Sequence, residues 1–102
     1  MGWKIIISPS AKADLAGIVR FVAQHNSDAA ARLGYELITR AENIANFPEI
    51  GRVVPEFKQL NLREVIWRPY RIIYRLKREE NHVDIVRFWH GARGVPHIPD
   101  YF

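Results

Sequence analysis

The sequence has no cysteine among its 102 residues, so disulfides, thiolate metal sites and cysteine nucleophiles are excluded. It also has no long apolar run. The longest run near the start is Ile5-Ile6-Ile7, which is much shorter than a membrane span or the core of a signal peptide. We therefore expect a cytoplasmic protein that does not enter a membrane.

Motifs for cofactors, metals and covalent catalysis are missing as well. The chain contains no Gly-rich phosphate loop, no Walker lysine and no GxSxG nucleophile elbow. The histidines His25, His82, His90 and His97 lie far apart, without an i, i+4 pair or a carboxylate-rich ligand set. The sequence therefore predicts neither a metal site nor a cofactor.

Positive charge is present in moderate excess. Apolar residues make up 48% of the chain and charged residues 25%, which is ordinary for one folded domain, here residues 1–102. The net charge is +4, and between residues 61 and 93 eight basic residues face four acidic ones. Such a surface attracts nucleic acid or an acidic protein without choosing between them, and a merely solvated face is the simpler alternative.

Two helices are predicted after a short first strand at Trp3-Lys4-Ile5-Ile6-Ile7. Ser8 and Pro9 are typical of a helix start, and Ser27 is the expected N-cap of the second helix. Each helix carries one apolar stripe, which needs a sheet to cover it. The stripes are Ala11, Leu15, Ile18 and Val22 in the first helix, and Ala30, Leu33, Leu37, Ala41 and Ile44 in the second.

Three β-rich runs follow an ordered loop at residues 47–56. They cover residues 62–67, 71–77 and 83–89, and short polar connections between them predict an antiparallel meander. Residues 94–102 are an irregular tail, since Pro96 and Pro99 oppose both helix and sheet. The predicted fold is α+β: an N-terminal strand and an α-helical hairpin packed on a small antiparallel sheet, in the order βααβββ.

Alternation along residues 71–77 separates two faces of the sheet. Ile72, Tyr74 and Leu76 share the predicted core face, whereas Arg71 and Arg75 share the other. We expect the second face to present its guanidinium groups outward, although Arg71 has an alternative as a structural tie to an acidic helix residue. The candidate target-binding residues are Arg63, Arg71, Arg75, Arg87, His90 and Arg93.

Four short sequence motifs, in the same order as these elements, resemble the RelE/ParE toxin superfamily, and its ParE branch in particular, over nearly the whole chain. Each motif is weak alone, but four in order are a fairly specific signal. The motifs are Ser8-Pro9-Ser10-Ala11-Lys12-Ala13-Asp14-Leu15, Phe47-Pro48-Glu49-Ile50-Gly51-Arg52, Leu62-Arg63-Glu64 with Tyr70-Arg71-Ile72-Ile73-Tyr74, and His90-Gly91-Ala92-Arg93.

The resemblance implies the toxin of a bacterial type II toxin–antitoxin pair. Such a toxin is neutralised by a ParD-like antitoxin, whose helix and extended tail wrap around it. Large aromatic residues in a small sheet are often core or partner contacts. Trp67, Tyr74 and Trp89 are therefore the candidate antitoxin-binding residues.

Two activities occur in this superfamily. RelE-type members cut mRNA in the ribosome, and the resemblance makes Arg71, Arg93 and Tyr101 the candidate catalytic residues for that activity. ParE-type members instead inhibit DNA gyrase. Because Leu62 and Glu64 stand where the nucleases carry lysines, the resemblance favours a gyrase inhibitor without bond chemistry of its own. A ribosome-dependent mRNA endonuclease and a non-toxic antitoxin-binding protein are the alternatives.

Overall fold

The computed structural model describes residues 2–100, and the expected α+β fold is confirmed. The strands are β1 (Lys4–Ile7), β2 (Arg52–Val53), β3 (Leu62–Trp67), β4 (Tyr70–Lys77) and β5 (His82–His90). The helices are α1 (Pro9–Ala23) and α2 (Ser27–Asn43), with 3₁₀ turns at Ile44–Asn46 and Gly91–Arg93.

The sheet has five strands in the order β1-β5-β4-β3-β2. Strands β3 to β5 form the predicted antiparallel meander, and β2 adds antiparallel to β3. Strand β1 lies parallel to β5, with Ile5 opposite Val83. The sheet is therefore mixed rather than antiparallel throughout. The helical hairpin returns the chain to the end of the sheet where β1 began, because the backbone N–H of Trp3 donates to the carbonyl of Ala45 at 3.5 Å.

The first helix is joined to the sheet by its cap. The Ser8 hydroxyl accepts a hydrogen bond from the backbone N–H of Ala11 at 3.1 Å and donates to the carbonyl of Val86 at 3.2 Å. In α2 the cap is Asn26 rather than Ser27, because the Asn26 side chain accepts from the N–H of Ala29 at 3.0 Å. Both types of side chain cap helices well, so the prediction was displaced by one residue.

Both faces of the sheet are covered. The face carrying Ile72, Tyr74 and Leu76 packs on the two helices, as predicted. The opposite face holds a second, smaller apolar cluster, with Ile73 fully buried at its centre and Ile98 of the C-terminal tail packed against it. The other members of this cluster are Val54, Phe57, Leu62, Val86 and Trp89.

The C-terminal tail is fastened across this second face by side chains of β4 and β5. Arg75 donates to the carbonyl of Pro99 at 3.1 Å, and Arg87 donates to that of His97 at 2.9 Å. The indole N–H of Trp89 donates to the carbonyl of Gly94 at 3.1 Å. Residues 94–100 therefore cover part of the surface that the sequence predicted to be open.

Tyr74 holds the loop after α2 against the sheet. Its hydroxyl donates to the carbonyl of Pro48 at 2.7 Å and accepts from the N–H of Gly51 at 3.0 Å. A side chain at Gly51 would place its Cβ 2.6 Å from both the Glu64 carbonyl and the Tyr74 hydroxyl, so this close approach requires glycine. The sequence motif around Gly51 therefore reflects the structure of this loop.

Candidate functional site

Four of the six predicted target-binding residues are arginines held by internal hydrogen bonds. Arg63 donates to the carbonyls of Leu60 at 2.8 Å and Gly51 at 3.1 Å. Arg75 and Arg87 hold the tail, and Arg71 is paired with carboxylates. The prediction that the face carrying Arg71 and Arg75 presents its guanidinium groups outward is wrong, because carboxylates bind Arg71 and the carbonyl of Pro99 accepts from Arg75.

Arg71 lies at the centre of a four-residue charge network with Glu56, Glu64 and Arg52. Its Nε donates to Glu64 at 2.7 Å, and its two terminal nitrogens form a bidentate pair with Glu56 at 2.7 and 2.9 Å. Arg52 binds the other oxygen of Glu64, also at 2.7 Å. The Glu64 side chain is fully buried, so both of its oxygens are neutralised inside the protein.

The two carboxylates further favour the charged form of Arg71. The hydrogen bonds that Arg71 donates to Glu56 and Glu64 raise its pKa, against the opposing effect of its burial. The alternative role of Arg71, a structural tie to an acidic residue, is therefore supported. Its partners, however, lie on a loop and on the neighbouring strand rather than on a helix.

Arg87 makes the tie to a helix that the sequence suggested for Arg71. Its Nε and Nη2 bind the two oxygens of Asp14 on α1 at 2.8 and 2.7 Å. Asp14 also accepts the backbone N–H of Phe88 at 3.1 Å. Strand β1 pairs with β5 only as far as Ile85. Beyond that point, the Asp14 carboxylate is the hydrogen-bond acceptor for the backbone N–H of Phe88.

An open cleft of about 640 Å³ lies beside this network. We call it the arginine cleft, and its charged or polar lining residues are Arg52, Glu56, Arg68, Arg71 and His90. Arg52 and Arg68 are exposed, whereas Arg71 lies deeper. The candidate residues predicted from the sequence did not include Arg52, Glu56 and Arg68. The Gly51-Arg52 motif could have indicated Arg52, and the Arg68-Pro69 turn could have indicated Arg68.

His90 is the last residue of β5, and Arg93 lies in the 3₁₀ turn that follows it. The Nδ1 of His90 accepts the N–H of Ala92 at 3.1 Å, which leaves Nε2 to carry the proton of the neutral ring. Arg93 stacks on Trp89 at 3.9 Å and lines a neighbouring pocket of about 320 Å³ beside α1, which shares Tyr70 and His90 with the arginine cleft. The arginine cleft therefore contains Arg71 but not Arg93. The third candidate catalytic residue, Tyr101, lies outside the described residues.

The three candidate antitoxin-binding aromatic residues have different surroundings. Tyr74 lies in the core with 0% exposure, so it offers no surface to a partner. Trp89 is 5% exposed beneath Arg93. Trp67 is half-buried, with the Arg40 guanidinium 4.4 Å from its ring centre, and it lines an open groove of about 810 Å³.

We call this groove the α2 groove. Its apolar floor includes Trp67, Leu33 and Tyr35, and the Tyr35 side chain is 72% exposed. Arg32, Glu36 and Arg40 supply its charged rim. An exposed aromatic side chain beside arginines is typical of a protein-binding surface.

Residues 2–100 contain no group of three or more histidine, aspartate or glutamate side chains placed to hold a metal ion. Within the same range, each helix is too short or too polar to cross a membrane. What the site offers chemically is a set of guanidinium donors and one imidazole donor around a cleft.

Comparison with known proteins decides the family. A family model described as the ParE toxin of the type II toxin–antitoxin system parDE matches residues 5–95. The chain belongs to the ParE toxin family. The resemblance to RelE/ParE toxins that the four sequence motifs indicated is thus confirmed.

Relatives of this ParE-family toxin carry names from both branches. Toxin RelE2 of Caulobacter vibrioides is 38% identical over 84 residues, which cover 81% of this chain and 89% of that protein. The chromosomal ParDE system of P. aeruginosa contains a chain of the same fold, with a TM-score of 0.71 at 16% identity, covering 86% of this chain and 95% of that one. The toxin–antitoxin complex RelBE2 of Mycobacterium tuberculosis gives 0.67 at 18% identity, covering 88% and 99%.

The Glu56–Arg71 pair predicts an acid dependence of stability for the ParE-family toxin. The hydrogen bond from Arg71 lowers the pKa of Glu56 below its ordinary value of 4.5. A lowered pKa contributes stability above the ordinary value, and this contribution is lost as the pH falls through the lowered pKa. We expect Glu56→Gln to lower the melting temperature near neutral pH, with the difference from wild type shrinking below about pH 4. Thermal melts over this range measure it, and a difference that stays constant would contradict the prediction.

Proposed function

We propose that this ParE-family toxin inhibits DNA gyrase by binding, performs no RNA cleavage of its own, and is neutralised in the cytoplasm by a ParD-like antitoxin. One observation carries the proposal. Glu64 stands on β3 where the resemblance would place a lysine of the nuclease set, and its buried carboxylate binds Arg71 and Arg52. A carboxylate there opposes the positive charge that a cleaved phosphate needs.

The groups of the arginine cleft are also poorly arranged for proton transfer. Metal-free RNA cleavage needs a base for the 2′-hydroxyl, cations for the phosphorane and an acid for the leaving oxygen. An arginine is always protonated and cannot act as the base, and the Nδ1 of His90 already accepts a hydrogen bond from the N–H of Ala92. Arg93, the second arginine of the nuclease reading, lines a different pocket. A binding mode of inhibition needs none of these proton transfers.

Induction of the toxin alone in growing cells tests the proposal. Gyrase inhibition predicts filamentation with a DNA-damage response while transcripts stay intact. We expect Arg93→Ala to weaken this effect more than Arg20→Ala, which removes an exposed arginine near the end of α1. Equal arrest by both variants at matched soluble levels would argue against a target surface at the end of β5.

A second candidate is a ribosome-dependent mRNA endonuclease, which the 38% identity to a toxin named RelE2 favours. It predicts rapid arrest of translation and transcripts cut at defined positions, without an early DNA-damage response. Growth without either response would instead indicate a non-toxic antitoxin-binding protein.

We place the antitoxin contact of Trp67 in the α2 groove. The exposed ring of Tyr35 and the half-buried Trp67 suit the apolar side of an amphipathic segment, and Arg32 and Arg40 suit its acidic residues. The similar solved structures come from a ParDE toxin–antitoxin system and a RelBE2 toxin–antitoxin complex, which supports an antitoxin as the occupant of this groove.

We expect a small antitoxin to be encoded beside the toxin gene, and a pulldown with that protein tests this contact. Tyr35→Ala should weaken binding of that antitoxin at least tenfold, the range of an aromatic hot spot. Phe47→Ala is the matched control, because Phe47 is similarly exposed at 60% and lies in the loop after α2. Equal binding by the two variants would move the antitoxin away from the α2 groove.

A further inference from the structure

The pair between Glu56 and Arg71 lies at the wall of the arginine cleft. Both terminal nitrogens of Arg71 point at Glu56, at 2.7 and 2.9 Å, while its Nε is held by Glu64 beneath. Glu56 is the more accessible partner, with a side chain 29% exposed against 12% for Arg71. The outward fork of the guanidinium is therefore occupied by a carboxylate that borders solvent.

Positive groups surround this carboxylate. Arg52 is anchored to Glu64 but keeps a side chain that is 58% exposed, and Arg68 is exposed on the same cleft. His90 also lines the cleft, and its Nδ1 accepts from the N–H of Ala92. If Glu56 swung away, three guanidinium groups would face one buried carboxylate, Glu64.

We propose that the arginine cleft binds a phosphate group of nucleic acid, and that Glu56 occupies the Arg71 fork in its place until such a group arrives. A guanidinium fork binds a carboxylate and a phosphate with the same bidentate geometry. A phosphate has further oxygens for Arg52 or Arg68, whereas a carboxylate uses both of its oxygens on the fork. The cleft therefore offers more donors than its present occupant uses.

This inference deepens the proposed function, since gyrase acts on DNA, but the binding is a property of the toxin alone. Glu56 competes within the molecule, so the apparent affinity for a phosphate falls by the fraction of molecules in which the fork is open. Removing the charge of Glu56 should remove this competition. We expect Glu56→Gln to tighten binding about tenfold.

Fluorescence titration of the purified toxin tests the inference, with labelled single-stranded DNA and RNA of one sequence, about 12 nucleotides long. Glu49→Gln is the matched control, because Glu49 forms an exposed 2.7 Å pair with Arg78 and does not line the arginine cleft. Glu56→Gln should tighten binding of DNA, RNA or both, and Glu49→Gln should have a clearly smaller effect. Arg68→Ala, at an exposed position, should weaken binding severalfold without unfolding the protein.

Three outcomes would overturn the inference. Glu56→Gln could leave the affinity for both oligonucleotides unchanged, or Glu49→Gln could raise it as much. An acidic peptide of equal charge could gain as much as the nucleic acids, which would show a carboxylate site for a protein partner. The DNA and RNA arms identify the source of the phosphate, and gyrase assays remain a separate test of the proposed function.

Discussion

Replacing Asp14 by alanine is expected to lower the free energy of unfolding by about 3 to 5 kcal/mol, the range for breaking a buried ion pair from one side. Asp14 accepts two bonds from Arg87 and one from the Phe88 backbone. Both charged side chains are almost buried, with 8% and 13% exposure. The variant leaves a buried guanidinium without its carboxylate and a strand N–H without its acceptor.

Urea unfolding of the purified toxin measures this effect. Asp28→Ala is the matched control, because Asp28 is an exposed aspartate in the first turn of α2. Asp14→Asn should fall between the two, since an amide oxygen can still accept from Phe88. An Asp14→Ala midpoint equal to that of Asp28→Ala would show that α1 does not anchor β5.

The second large effect is expected at Glu64. Glu64→Ala should destabilise the fold by about 3 kcal/mol, because it removes the only fully buried carboxylate between Arg71 and Arg52 among the described residues. Arg71 keeps its bidentate pair with Glu56, so the loss should be smaller than at Asp14. Glu64→Gln retains the shape and should lose less.

Unfolding by urea again provides the measurement. Glu79→Ala is the control, since Glu79 is exposed in the turn between β4 and β5. Stability unchanged by Glu64→Ala would contradict the charge network as a structural element. It would also weaken the argument that Glu64 is fixed in place against a nuclease role.

Local sequence rules predicted the elements well. Ser8 and Pro9 begin α1, and the alternation of Ile72, Tyr74 and Leu76 identified the face that packs on the helices. The parallel pairing of β1 with β5 was not predicted, because residues 5 and 83 are brought together by packing rather than by any local turn signal. Strand β2 lies in a segment predicted to be a loop, because two residues carry too little pattern to indicate a strand.

The site was predicted less well, for a physical reason. The excess of positive charge was counted between residues 61 and 93, but two of the carboxylates that neutralise it lie outside that segment. Asp14 meets Arg87 across 73 positions of sequence, and Glu56 meets Arg71 across 15. Which acid reaches which arginine depends on the folded path of the chain, and composition carries no record of it.

The aromatic residues show the same limit. Trp67, Tyr74 and Trp89 are all large aromatic residues, but their surroundings differ. Trp67 lines the α2 groove, Tyr74 binds the loop after α2 from the core, and Trp89 lies beneath Arg93. Only their positions relative to α2, the loop and the tail distinguish a partner contact from a packing contact.

A supercoiling assay with purified DNA gyrase and purified toxin tests whether gyrase is the target. We expect the toxin to block supercoiling and to increase the amount of cleaved DNA held by gyrase, and added antitoxin to reverse both effects. Gyrase that supercoils normally at a large excess of toxin, while the same toxin sample cuts mRNA on ribosomes, would contradict this expectation.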